Sequence, residues 1–243
     1  MVKTASKSEP KVFVALDLDS PAEAVAIAES LSGLGLGFKL GPRLMLREGA
    51  GLVQKIARHG SVFVDCKHFD IPSTMEAAIR TAFEAGAGYS TIHALSGPKA
   101  LQLVAKVETD LNRERPFRIL TVTILTSFDK DTLPVHLRGH EIGGLVEDLA
   151  QEARKEGLKS FVCSPLEAAR LRKAIPDSYL VTPGIRPSGS SAGSSRDDQI
   201  RIETPASAAQ AGASALVVGR PILEARDRRE MALRILNEFS ERV

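Results

Sequence analysis

Short apolar runs rich in β-branched residues alternate along this chain with longer stretches in which apolar positions recur every three or four residues. The short runs are KVFVALD (11–17), GFKLG (37–41), SVFVDCK (61–67), YSTIHA (89–94), RILTVTIL (118–125), SFVCS (160–164), YLVTPG (179–184) and ALVVGR (215–220). Their length and composition predict strands. The longer stretches predict helices. In SPAEAVAIAESLSG, Ser20 suits the cap, Pro21 the first turn and Gly33 the stop. The others are RLMLREGAGLVQKIARHG, PSTMEAAIRTAFEAGA, GPKALQLVAKVETDL, IGGLVEDLAQEARKEG, PLEAARLRKAIP, TPASAAQAGA and DRREMALRILNEFSERV.

Each predicted strand is followed by a predicted helix, and parallel neighbours are the pairing that needs such crossovers. Eight units in 243 residues match a closed α/β barrel, the (β/α)8 TIM barrel, better than an open doubly wound sheet. The expected organisation is a flexible tail over residues 1–10, MVKTASKSEP, and one catalytic barrel domain over 11–243. In such a barrel the chemistry lies at the carboxyl ends of the strands.

Composition narrows the partners. The chain is 43% hydrophobic and 26% charged, as in ordinary globular proteins, and its net charge of +2 comes from 32 basic and 30 acidic residues spread along it. That balance leaves no electrostatic footprint for nucleic acid or an anionic membrane. Trp is absent and only two Tyr occur, so platforms for stacking bases are scarce. A small molecule is the expected partner. Cys66 and Cys163 sit in strand-like runs away from metal-ligand spacing, which predicts buried, unbridged thiols in a reducing compartment. The N-terminus lacks an apolar leader core and no run of 18 apolar residues occurs, so a cytoplasmic location is expected.

Charges collect where the barrel predicts a mouth. The first strand ends in Asp17, the second carries Lys39, the third carries Asp65 and Lys67, and Asp70 follows in the next loop. Strand side chains alternate with period two, so Asp65 and Lys67 share a face and Cys66 takes the other. Buried ion pairs often fail to recover their desolvation cost as stability, so a group of converging charges points to function. Opposite charges nearby keep a lysine protonated, which suits proton donation and stabilisation of developing negative charge rather than Schiff-base chemistry.

The opposite side of the mouth reads as an anion site. The seventh strand runs into TPGIRPSGSSAGSSRDDQ and the eighth into VVGRPI, supplying glycines together with Arg186 and Arg220. Phosphate-binding barrels place the anion between these two loops and a short helix. The Ser/Gly-rich stretch 187–198 reads as a lid over the anion, with Gln199 as a polar contact.

The motifs LDLDS, FKLG, DCKHFDIPST, TILTS, VTPGIR, DDQIRIETPASA and VVGRPI, over roughly residues 11–235, resemble the orotidine 5'-phosphate decarboxylase family in order and spacing. The resemblance implies conversion of orotidine 5'-monophosphate to UMP and CO2, the last step of de novo pyrimidine synthesis, with no cofactor and no metal. It implies that Lys67 protonates C6 of the pyrimidine and that Lys39, Asp65 and Asp70 complete a charged network. It further implies a homodimer, in which Asp70 and Thr74 reach the neighbouring subunit's site. Asp17 and Lys39 would bind ribose hydroxyls beside Asp65, Thr126 or Ser127 the pyrimidine edge, and Arg186, Gln199, Gly219 and Arg220 the phosphate. One departure stands out: family members often carry His directly before the second Asp of the block, whereas this chain reads KHFD, with His68 earlier and Phe69 adjacent to Asp70. His68 is therefore read as structural, and the scattered His59, His93, His136 and His140 as surface or core residues.

Two alternatives remain at this point. A metal-dependent sugar-phosphate decarboxylase with a similar D-x-K-x-x-D block would need carboxylates where Lys39 stands, and a lysine there repels Mg2+. A non-catalytic nucleotide-binding barrel would have no use for so much buried charge.

Overall fold

In a computed structural model, the structure describes residues 9–188 and 202–240. Residues 1–8 of the expected tail, most of the expected lid and Gln199 lie outside the described residues.

Eight parallel strands close into a barrel in sequence order: β1 (Val12–Ala15), β2 (Gly37–Leu40), β3 (Ser61–His68), β4 (Tyr89–His93), β5 (Arg118–Val122), β6 (Ser160–Val162), β7 (Tyr179–Thr182) and β8 (Ala215–Val218). The seam between β8 and β1 is held in the register Val12↔Leu216 and Val14↔Val218. Outside it run α1 (Pro21–Ser30), α2 (Pro42–Glu48), α3 (Ala50–Ile56), α4 (Pro72–Glu84), α5 (Pro98–Leu111), α6 (Ile142–Lys155), α7 (Pro165–Ala174), α8 (Pro205–Gln210), α9 (Arg220–Leu223) and α10 (Arg228–Ser240). Among the described residues no helix is long and apolar enough to cross a membrane.

Local chemistry explains several boundaries. Ser20 caps α1 by accepting the Glu23 N–H, Ser164 caps α7 by accepting that of Leu166, and Thr204 and Ser207 form a reciprocal capping box on α8. The sequence pattern predicts one helix over 43–60, but the chain breaks it in two at Gly49, whose φ of 61° and ψ of −135° suit only glycine. Several strands end earlier than their apolar runs: β5 stops at Val122 and β8 at Val218, so Arg220 opens α9 instead of ending a strand.

The alternating strand faces fill two cores. Outward residues such as Val14, Phe38, Leu40 and Ile92 pack beneath the helices, where half-buried Cys66 also lies. Both cysteines are thiols. Inward residues fill the barrel itself: Phe13, Phe63, Tyr89, Leu120, Val181 and Ala215 form one apolar cluster. The Phe13 ring meets those of Phe63 and Tyr89 edge-on at 5.4 and 4.9 Å, and such rings each stabilise the fold by roughly 2–3 kcal/mol. A Cβ at Gly37 would stand 2.4 Å from the Phe13 ring, so that glycine makes room for the plug. This apolar filling ends one inward position below Asp65 on β3, and the charges begin above it.

At the foot of the barrel, Glu108 on α5 accepts the Ile119 N–H and lines a cleft of about 390 Å³ with Glu9, Asn112, Arg118 and Lys159. Burial pushes its carboxyl up to about 7, against the opposing pull of the Ile119 hydrogen bond and of Arg118. The folded chain thus holds this proton more tightly than the unfolded chain. Stability from this group falls as pH rises from about 4.5 to about 7 and stays lower above. Glu108→Gln keeps the acceptor without the charge, so it should stabilise the fold by about 1–3 kcal/mol near pH 8 and change little near pH 4.5. Thermal denaturation at the two pH values checks this, and an equal effect at both would contradict it.

Candidate active site

Four of the five expected charges meet at the mouth. Lys39 points inward from β2 with its Nζ 3.0 Å from Asp17 Oδ1 and 3.4 Å from Asp65 Oδ2, and Lys67 Nζ lies 3.0 Å from Asp65 Oδ1. The result is a continuous chain of alternating sign, Asp17, Lys39, Asp65, Lys67. Lys39 and Asp65 are each only 8% exposed, whereas Asp17 and Lys67 extend toward solvent.

Burial opposes charge on the two inner members, yet both stay ionised. Desolvation pushes the Lys39 ammonium down, but the carboxylates of Asp65 and Asp17 together hold it above its ordinary value. Desolvation likewise pushes Asp65 up, and Lys39, Lys67 and hydrogen bonds from Lys67 and Thr91 hold it below the usual carboxylate range. Cys66 faces away, its thiol pushed up by burial first and by the Asp65 charge second.

Asp70 stands apart from this chain. It is exposed in the connection from β3 to α4, where its Oδ1 accepts the Ile71 N–H at 2.6 Å. The four-membered network expected from Lys39, Asp65, Lys67 and Asp70 is therefore not assembled within one chain; Asp17 takes the fourth place. Asp70 lies between two exposed apolar residues, Phe69 (65% exposed) and Ile71 (64%). Thr74 follows, exposed in the first turn of α4. Phe69 packs against the His93 ring at a centroid distance of 5.9 Å. His68 ends β3 with Nε2 buried and without a hydrogen-bond partner among the described residues, and burial lowers its pKa.

Above the apolar plug opens a cavity of about 720 Å³. Its walls include Asp17, Lys39, Asp65 and Lys67 on one side and Arg186, Gly219 and Arg220 on the other, with Thr126 between. Phe63, Val162 and Val217 form an apolar floor. Ser127 is exposed and does not line the cavity, so of the two neighbouring hydroxyls the structure brings in Thr126. The loop bearing Arg186 is fixed at its base by paired backbone bonds, Arg186 N–H to the Glu203 carbonyl and Glu203 N–H to that of Gly184. The mouth thus joins a chain of ion pairs, an apolar floor and two arginines, a layout suited to a small anionic molecule with an apolar part.

A family model described as "Orotidine 5'-phosphate decarboxylase / HUMPS family" matches residues 10–235. The chain belongs to this decarboxylase family. An orotidine 5'-phosphate decarboxylase of Trichlorobacter lovleyi is 41% identical over 242 residues, covering 97% of this chain and 98% of the relative. One from Rhodopseudomonas palustris is 41% identical over 244 residues, with 99% of each chain covered. Among solved structures, orotidine 5'-phosphate decarboxylase from Lactobacillus acidophilus superposes with a TM-score of 0.81 at 31% identity, over 96% of this chain and 99% of that one. Membership of the orotidine 5'-phosphate decarboxylase / HUMPS family agrees with the barrel and with the carboxyl-end cavity.

Beyond the apolar floor, two polar parts of this family member's mouth are not foreseen in the sequence pattern. Thr91 is wholly buried on β4 and donates from Oγ1 to Asp65 Oδ1 at 3.0 Å; its inward parity with Tyr89 and His93 was the available signal. Arg43, on the cavity rim and 3.6 Å from Asp19, lies in a segment whose pattern announces only a helix.

Proposed function

We propose that this protein is a cytoplasmic enzyme that converts orotidine 5'-monophosphate to UMP and CO2 for pyrimidine synthesis, using its own side chains alone, with Lys67 protonating C6. The observation that carries the reading is the ion-pair chain ending in Lys67, set across one cavity from Arg186 and Arg220.

Each part has a task in that reaction. Arg220, Arg186 and the backbone at Gly219 hold the 5'-phosphate, Asp17 and Lys39 the ribose hydroxyls, and Thr126 the pyrimidine edge above the apolar floor. Gln199, assigned to the phosphate by resemblance, lies outside the described residues. Breaking the bond from C6 to the carboxylate releases CO2 and leaves its electron pair in an sp2 orbital that the ring cannot delocalise. Enzymes facing such barriers supply up to about 23 kcal/mol of differential stabilisation. The Lys67 ammonium, held by Asp65, stabilises that pair and then donates its proton to C6; solvent reprotonates the amine. With Lys39 seated between Asp17 and Asp65, and Lys67 on Asp65, the two carboxylates are balanced by two cations of the chain itself.

A homodimer completes the proposal. Exposed Phe69 and Ile71 flank Asp70 and would be covered by a second copy, carrying Asp70 and Thr74 toward the neighbouring mouth.

The direct test is a spectrophotometric assay of purified protein with orotidine 5'-monophosphate and EDTA. Loss of substrate absorbance, unaffected by the chelator, is expected. Binding of UMP with no change in the substrate spectrum would leave only a nucleotide-binding barrel. Activity lost with EDTA and restored by Mg2+ would favour the metal-dependent sugar-phosphate alternative. Arg220→Ala should raise KM by about 10–100-fold, the weight of one or two charge-assisted hydrogen bonds, with a smaller change in kcat. A kcat loss exceeding the KM change would remove Arg220 from the phosphate site.

A further inference from the structure

The cavity wall holds one group whose placement exceeds what packing requires. Lys67 has φ of 47°, the only positive value for a non-glycine among the described residues. L residues rarely adopt this conformation, and it persists only where the surroundings impose it. The register between β3 and β4 shifts in the same place, from Val64↔Ser90 to His68↔Ile92. A bulge of this kind interrupts the regular ladder and re-aims a side chain. The Lys67 N–H is instead taken by a side chain, Thr91 Oγ1, at 2.8 Å.

The hydroxyl has a second bond, and its direction is fixed. A backbone N–H can only donate and an ionised carboxylate can only accept. Thr91 Oγ1 therefore accepts from Lys67 N and gives its single proton to Asp65 Oδ1 at 3.0 Å. The same Oδ1 receives the Lys67 ammonium at 3.0 Å. Lys67 is thus tied at both ends, backbone and Nζ, to one hydroxyl and carboxylate pair. Thr91 is wholly buried, and its β-branched side chain has few χ1 choices, so the arrangement is rigid.

We propose that Thr91 is a positioning residue for the decarboxylation: it holds the left-handed turn at Lys67 and orients Asp65, and so aims the ammonium at the reacting carbon. This rests on the reading of Lys67 as proton donor. A misaimed ammonium costs rate without costing affinity, because phosphate and ribose are held by other residues.

Thr91→Val keeps the shape and removes the hydroxyl. It should lower kcat on the order of 10²-fold, with KM for orotidine 5'-monophosphate and Kd for UMP within about threefold of the parent. Thr91→Ser, which restores the hydroxyl, should return kcat to within about fivefold. The Lys67 amide, hydrogen-bonded to Thr91 Oγ1 in the parent, should be protected from hydrogen exchange there and exchange readily in Thr91→Val. A Thr91→Val enzyme with parental kcat overturns the proposal, as does equal loss in the Ser and Val variants, or a kcat loss matched by lost UMP affinity. If Thr91→Val does not fold, Thr91→Ser decides: a loss of kcat beyond about tenfold with the hydroxyl retained overturns it. If the parent itself leaves the substrate unchanged, the assignment of the reaction fails, and Lys67 amide exchange still tests the anchor.

Discussion

Lys67→Ala should lower kcat by about 10⁴-fold or more while the barrel remains folded. Proton delivery by a placed group contributes roughly 10²–10⁴ and an electrostatic partner for developing charge roughly 10²–10³, and Lys67 is assigned both. Stability should change by only about 1–2 kcal/mol, because the side chain is 38% exposed and Asp65 keeps Lys39 at 3.4 Å as a second counterion. Lys67→Arg sharpens the result. It retains a cation, but guanidinium does not release a proton under these conditions, so it too should be nearly inactive if proton transfer is the task. Kinetics and thermal denaturation of both variants check this; kcat within about tenfold of the parent in Lys67→Ala would sink the assignment.

The second large effect concerns two chains at once. Asp70→Ala alone should lose most activity, although Asp70 lies outside the ion-pair chain of its own subunit. Mixed with the inactive Lys67→Ala protein under conditions of subunit exchange, it should regain activity. In a mixed dimer one mouth carries both defects, while the other combines an intact Lys67 with an intact Asp70 from across the interface. Random exchange makes half the dimers mixed, so about a quarter of the parental sites should work. No recovery after verified exchange would place Asp70 in its own subunit's site or outside catalysis.

Much of this was legible in the residues. β-Branched runs separated by amphipathic stretches located all eight strands, and period two placed Asp65 and Lys67 together with Cys66 behind them. What stayed hidden depends on contacts between distant segments. No glycine or asparagine marks the bulge at Lys67; a hydroxyl 24 residues further along the chain imposes it. The broken helix at Gly49 was obscured because apolar spacing continues across the break. Neither Thr126 nor Ser127 lies in a periodic element, so pattern had no means to choose between them. The apolar floor of Phe63, Val162 and Val217 reads like any other core.

The aromatic plug also settles traffic. Phe13, Phe63 and Leu120 leave essentially no accessible surface inside the barrel, so among the described residues no passage runs down through it, and the doorway is the carboxyl-end mouth. Incoming nucleotide, departing gas and departing nucleotide must share it in turn. On the proposed reaction, a second substrate cannot enter until the first product nucleotide has gone, so UMP should compete with substrate at that threshold.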